Sequence, residues 1–128
     1  MNYTIKLTAS FRRSAKRLMK KYPSLPKDLS DLQSQLLKNP RLGTSLGENT
    51  YKIRLLIRSK KRGKSGGGRV ITYVYTTSTE PEESGEIILL QLYDKSDRES
   101  IFEEEIKVLI AQFLEEEQKK READEEST

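Results

Sequence analysis

The residues best suited to chemistry lie in a basic segment in the middle of the chain, residues 51–70, which contains no acidic side chain. Its cations are Lys52, Arg54, Arg58, Lys60, Lys61, Arg62, Lys64 and Arg69. Lysine and arginine at this density are typical of a surface that neutralises phosphates, so the segment indicates contact with a nucleic-acid backbone. A solvated basic loop is the simpler interpretation. It accounts for residues 59–68 but not for the cations before them.

Apolar and polar side chains alternate over residues 51–58, as in a strand with one buried face. Because neighbouring side chains of a strand point to opposite sides, we expect Lys52, Arg54 and Arg58 to share one open sheet face. Like charges on one face repel each other unless an anion lies between them. Arg69 begins the next predicted strand and is expected to join them. The pattern therefore predicts a rigid, positively charged site for a phosphate.

Composition excludes several classes of protein. The 128 residues include no cysteine and no histidine, so disulfides, thiolate chemistry and imidazole catalysis are absent. No metal and no cofactor are expected. The mean hydropathy is −0.77, and the chain has neither an apolar run long enough for a membrane span nor a signal peptide. We therefore expect a cytoplasmic protein with no membrane partner.

Charge is distributed unevenly along the chain. The net charge is +4, but residues 115–126 contain seven acids and three bases, so the rest of the chain carries +8. We expect one domain over residues 1–114 and an acidic helical extension over residues 115–128. A basic body of this kind predicts a polyanionic partner.

The predicted elements are a strand at residues 2–8, two leucine-rich helices at about 8–22 and 26–38, three strands near 51–58, 69–77 and 86–93, and a helix from Ser96 onward. Residues 39–49 are read as a turn. The order β-α-α-β-β-β-α predicts an α+β fold. We expect a mostly antiparallel four-stranded sheet, covered on one face by a helical hairpin and a C-terminal helix.

Three stretches resemble the RelE/ParE superfamily of bacterial type II toxins, and RelE-like and HigB-like mRNA interferases in particular. They are NPRLGTSLGENTYKIRL at residues 39–55, GGGRVITYVY at 66–75 and IILLQLYDKSDRESI at 87–101. The resemblance implies a RelE-like fold and a toxin held inactive by a cognate antitoxin protein. It also implies metal-independent cleavage of mRNA, typically on the ribosome, through attack by a ribose 2′-OH.

The resemblance also implies roles for individual residues. Lys52 and Arg54 match the basic pair of one family strand, and Arg69 matches the arginine of the next. These three, with Tyr93 and Lys95, form the predicted catalytic set. The predicted RNA-binding set comprises Arg58, Lys60, Lys61, Arg62, Lys64 and Tyr73.

The chain departs from the family pattern at two positions. Ser96 and Phe102 stand where the family has an arginine and a tyrosine. Lys95 or Arg98 is the candidate replacement for the arginine, and Tyr93 for the tyrosine. Two alternatives stay open: a ParE-like toxin that inhibits gyrase, and an RNA-binding domain without catalytic activity.

Overall fold

The computed structural model describes residues 1–60 and 67–126. Its elements are β1 (Asn2–Leu7), α1 (Ala9–Lys21), α2 (Leu25–Lys38), β2 (Thr44–Gly47), β3 (Thr50–Leu55), β4 (Gly68–Ser78), β5 (Ser84–Asp94) and α3 (Glu103–Glu126). The predicted α+β class, the two consecutive helices and the C-terminal helix are confirmed.

The sheet has five strands in the order β1-β5-β4-β3-β2, so the expected count of four is wrong. The additional strand is β2, which pairs with β3 across a two-residue turn. Glu48 and Asn49 have φ values of 50° and 62°, the left-handed conformation that a tight hairpin requires at both turn residues. Residues 39–49, which the sequence predicts to be a turn, therefore contain both a turn and the edge strand β2. Among the strands of residues 1–60 and 67–126, only β1 and β5 are parallel, which confirms a mostly antiparallel sheet.

Helices cover both faces of the sheet, and the expectation of one covered face is wrong. On the hairpin face, Val70, Ile87 and Leu89 pack with the leucines of α1 and α2. On the α3 face, Ile71 and Ile88 pack with side chains of α3. Because β4 and β5 carry apolar residues on both sides, each side needs a covering helix to remove that surface from water.

Helix α1 begins where the sequence predicts. Thr8 is its N-cap, and the Thr8 Oγ1 accepts a hydrogen bond of 3.0 Å from the backbone N–H of Phe11. Phe11, Ala15 and Leu18 form its buried side. This spacing leaves the remaining positions of α1 facing water.

Helix α3 begins at Glu103, seven residues later than the predicted start at Ser96. Side chains hold the intervening backbone outside a helix: the Lys95 Nζ donates to the Glu99 carbonyl at 2.6 Å, and the Arg98 Nε donates to the Ser100 carbonyl at 3.0 Å. Phe102 lies just before the helix and is 71% exposed. The stripe that packs on the sheet consists of Ile106, Leu109 and Phe113.

The acidic end of α3 is continuous with the rest of the helix and contacts the sheet. The Lys6 Nζ lies 2.7 Å from the Glu117 carboxylate, and Arg121 donates a hydrogen bond of 2.6 Å to the Tyr75 hydroxyl. Within residues 1–60 and 67–126, no helix has the length and apolar character that crossing a membrane requires.

Candidate active site

A row of three side chains crosses strands β3, β4 and β5. Arg54 lies directly opposite Arg69, and Arg69 lies directly opposite Tyr93. Directly opposite residues share a sheet face, with Cβ atoms about 5 Å apart. Tyr93 belongs to the cluster under α3, so the row lies on the α3 face. The register thereby places two arginines and a phenol side by side on one face, where the Arg69 Nη1 donates to the Gly68 carbonyl at 3.0 Å.

Lys52 lies on the same face, one pair further along the strand. It is opposite Ile71, which packs under α3. The half-buried Lys52 side chain borders a cavity of about 390 Å³ between the β2–β3 hairpin and the first turns of α3. The sequence prediction that Lys52, Arg54 and Arg69 share one face agrees with this register.

The phenol of Tyr93 is enclosed. The residue is 3% exposed, and its hydroxyl forms no hydrogen bond within the described part of the chain. Burial raises the pKa of Tyr93, and the positive charges of Arg69 and Arg98 partly oppose that rise. The side chain is therefore a neutral phenol at neutral pH. A buried hydroxyl without a partner is unfavourable by about 1–3 kcal/mol, so an acceptor that reached it would gain a hydrogen bond that the fold does not supply.

Arg98 covers Tyr93. Its guanidinium carbon lies 5.4 Å from the centre of the Tyr93 ring, within the range of a cation–π contact. The Arg98 Nη2 also forms an ion pair of 3.0 Å with Glu105 in the first turn of α3. Arg98 is therefore the basic residue of the β5–α3 connection that meets the row. Lys95, the other candidate, donates to a backbone carbonyl.

The two residues at the altered family positions, Ser96 and Phe102, are both exposed. Neither is part of the buried cluster around Tyr93.

The expectation that Arg58 shares the face of Lys52 and Arg54 is wrong. Strand β3 ends at Leu55, so strand pairing no longer fixes the direction of the Arg58 side chain. The Arg58 guanidinium instead lies 2.9 Å from Asp28 and 2.9 Å from Asp31, both on α2. Arg58 therefore joins the sheet to the helices of the hairpin face.

Lys60 is enclosed in an ion pair. Its side chain is 11% exposed, and its Nζ lies 2.8 Å from the fully buried carboxylate of Asp94. The Tyr22 hydroxyl donates to the other Asp94 oxygen at 2.6 Å. Burial alone would raise the pKa of Asp94, but the bonds from Lys60 and Tyr22 outweigh it and hold that pKa at about 2. An RNA contact by Lys60 requires this ion pair to open.

Tyr73 is part of an aromatic cluster under α3. Its ring is 6.4 Å from that of Tyr75 and 6.3 Å from that of Phe113. Burial raises the pKa of Tyr73. The remaining predicted RNA-binding residues, Lys61, Arg62 and Lys64, lie outside the described residues.

Sequence reasoning missed the partners of these cations. Asp94 ends the apolar strand β5, and an acid at the end of such a strand is a recognisable signal of a paired carboxylate. Glu105 carries no comparable signal, because it is one of three consecutive glutamates that begin α3.

No family model and no curated protein matches this chain. Among solved structures, the chain is similar to a double mutant of the E. coli toxin RelE in the free state, with 20% sequence identity and a TM-score of 0.49. That similarity covers 77% of this chain and 90% of that chain.

Proposed function

We propose that this protein is a RelE-type toxin of a toxin–antitoxin pair and cleaves mRNA on the α3 face of its sheet. The observation that carries the proposal is the cross-strand row of Arg54, Arg69 and Tyr93, with Lys52 on the same face. Cations held on rigid strands suit a phosphate whose negative charge grows during reaction. The resemblance of the sequence to mRNA interferases supports RNA as the substrate.

In the proposed reaction, a ribose 2′-oxygen bonds to the adjacent phosphorus and the bond from phosphorus to the 5′-oxygen breaks. The products are a 2′,3′-cyclic phosphate and a free 5′-hydroxyl. Lys52 accepts the proton that leaves the 2′-hydroxyl. Arg54 and Arg69 stabilise the pentacoordinate phosphorus, since donors aimed at developing charge lower the barrier most. The expelled 5′-oxygen takes a proton from Tyr93.

Tyr93 can donate that proton only when its hydroxyl becomes accessible. Arg98 must therefore move off the ring, and its guanidinium is then available to the same phosphate. Lys95 lies on the same connection between β5 and α3, where it supports the segment through the Glu99 carbonyl. We assign phosphate binding along the RNA strand to Lys61, Arg62 and Lys64.

The proposed partners are a cognate antitoxin protein, which holds the toxin inactive, and mRNA on the ribosome. Neither requires a cofactor from this chain. The row itself does not distinguish cutting on the ribosome from cutting of free RNA, so the decisive assay includes both.

The test is induced expression followed by mapping of mRNA 5′ ends, with purified protein assayed on free RNA and on translating ribosomes. We expect growth arrest, new ends within translated regions and cutting that persists in EDTA. Growth arrest with intact mRNA would favour inhibition of gyrase. RNA binding without arrest and without cutting would identify an RNA-binding domain.

A further inference from the structure

Helix α1 has an unusual distribution of charge. Its 13 residues include no acid, and its cations are Arg12, Arg13, Lys16, Arg17, Lys20 and Lys21. All of them are exposed, because Phe11, Ala15 and Leu18 take the buried positions. The helix therefore presents a continuous basic surface about 14 Å long, with cations repeated every turn. We call these six cations the α1 surface.

Few ion pairs compensate the α1 surface, although Arg12 and Arg13 border a cavity that is also lined by Glu115, Glu116 and Glu117 of α3. In the described residues, Arg12, Arg13, Lys16 and Lys20 form no ion pair. The contacts of Arg17 with Asp97 and of Lys21 with Asp94 are both 3.7 Å long. Like charges at positions i and i+4 destabilise a helix. A run of four such pairs indicates a surface adapted to an external polyanion.

The α1 surface is separate from the proposed cleavage row. Helix α1 packs on the hairpin face, through Phe11 and Leu18. Arg69 and Tyr93 lie on the α3 face. One phosphate cannot contact both, because the sheet lies between them.

From this arrangement we propose that the α1 surface is a second RNA-binding surface, which holds a phosphate backbone on the opposite side of the sheet from the cleavage row. The inference rests on the proposed function only for the choice of RNA as the polyanion. A membrane fits less well, since the apolar side of α1 is buried in the core and is not available for insertion into lipid.

Two RNA sources share this chemistry: a flanking part of the cleaved strand, and a separate double-stranded element. A backbone on α1 that belongs to the cleaved strand must pass around the edge of the sheet, whereas a duplex can dock directly. We therefore expect substitutions in the α1 surface to weaken binding of duplex RNA more than binding of single-stranded RNA.

The experiment compares two variants that each remove three positive charges. The first changes Arg13, Lys16 and Lys20 together to glutamine, which has a similar helix propensity to lysine and arginine. The control changes Lys27, Lys38 and Arg41 to glutamine. Lys27 and Arg41 are paired with Asp31 and Glu83, and none of the three borders the cavity that Arg12 and Arg13 share with the end of α3. Circular dichroism confirms folding, and binding to an RNA hairpin and to an uncleavable single strand is measured against salt concentration.

For the α1 variant, we expect the slope of log K against log salt to become shallower by about 3 with the hairpin, and no change for the control. If the slope became shallower by about 2 for the single strand alone, the α1 surface would still bind RNA, and the RNA it binds would be part of the cleaved strand. Unchanged slopes with both RNAs, or equal decreases in the control, would overturn the inference. Binding to polyglutamate is measured in the same way. If the α1 variant lost binding to polyglutamate and kept its binding to both RNAs, that result would also overturn the inference and indicate an acidic protein partner.

A cleavage assay tests the proposed function independently of the α1 surface. At saturating protein concentration, the α1 variant is expected to cut RNA at the wild-type rate, because its substitutions lie away from the row. If the wild type cuts no RNA, the salt slopes still decide whether α1 binds a backbone.

Discussion

Arg54 and Arg69 lie directly opposite each other on β3 and β4, and both point to the face of the sheet that α3 covers. Two guanidinium groups in this relation form a compact positive site whose spacing is set by the strand register. Such a site binds the charge of a phosphate in the ground state, and more strongly as that charge increases in the transition state.

We predict that Arg69→Ala lowers the rate of mRNA cleavage more than it weakens RNA binding. Losing one preorganised donor to a developing charge costs on the order of 10²–10³ in rate. Single-turnover cleavage and binding to an uncleavable RNA measure the two effects separately. Lys38→Ala, which also removes one exposed cation, serves as the control and should leave both unchanged. Equal losses in binding and in rate would assign Arg69 to binding alone.

Tyr93→Phe removes a hydroxyl that is buried and has no hydrogen bond within the described residues. The free energy of unfolding should therefore stay the same or rise by about 1 kcal/mol, because no bond is lost and an unfavourable buried group is removed. Cleavage should nevertheless fall. Urea unfolding and single-turnover cleavage test the two parts.

Tyr75→Phe provides the matched control for Tyr93→Phe. The Tyr75 hydroxyl accepts a hydrogen bond of 2.6 Å from Arg121, far along α3 from the row. This variant should cut RNA normally. Full activity in Tyr93→Phe would remove the phenol from the mechanism and leave the cations as the catalytic groups.

The ion pair between Glu105 and Arg98 holds Arg98 over Tyr93. Glu105→Gln removes the negative charge that engages Arg98, so Arg98 becomes available to RNA. We expect the salt slope for single-stranded RNA to steepen by about 0.7, the contribution of one further neutralised phosphate. Glu104→Gln is the control, since Glu104 is an exposed acid of the same first turn of α3 and forms no ion pair within the described residues. A slope that does not change in Glu105→Gln would show that Arg98 is not available to RNA.

Asp94→Asn leaves the ammonium group of Lys60 buried without a counter-charge. Breaking one partner of a buried pair is strongly destabilising, and we expect a loss of about 3 kcal/mol in the free energy of unfolding. Asp97→Asn alters an exposed carboxylate nearby and should change stability by no more than about 0.5 kcal/mol. Urea unfolding measures both. A small loss in Asp94→Asn would mean that Lys60 reaches solvent when Asp94 is neutralised.

The pKa of Asp94 predicts how stability depends on acid. The folded-state pKa is about 2, below the usual value of 3.8, so the folded protein favours the charged carboxylate. The charged Asp94 carboxylate therefore contributes about 2 kcal/mol to the free energy of unfolding. This contribution is fully present above pH 5 and is lost as the pH falls from about 4 towards 2. Unfolding free energies at pH 5 and pH 2.5 measure it. The Asp94→Asn variant should lack this part of the pH dependence, and an identical dependence in the variant would contradict the assignment.

Local sequence signals determined much of this protein. The spacing of Phe11, Ala15 and Leu18 is that of a helix with one buried side, and either Thr8 or Ser10 could have been its cap. Alternation along residues 51–55 placed Lys52 and Arg54 on one side of a strand. Such features depend on backbone geometry that repeats over a few residues, so they can be derived from the order of residue types alone.

Only the tertiary structure decided which charges remain available. The sequence placed Arg58 on the face of Lys52 and Arg54, and Lys60 in a basic loop. Arg58 is instead paired with acids of α2, and Lys60 with Asp94. The position of α3 against the sheet, and with it the cover over Tyr93, was likewise not evident. Ion pairs and helix packing join residues that are distant in the chain, and no local periodicity records which partners the fold brings together. The register of β3, β4 and β5 is a property of this kind, and it alone aligns Arg54, Arg69 and Tyr93 in one row.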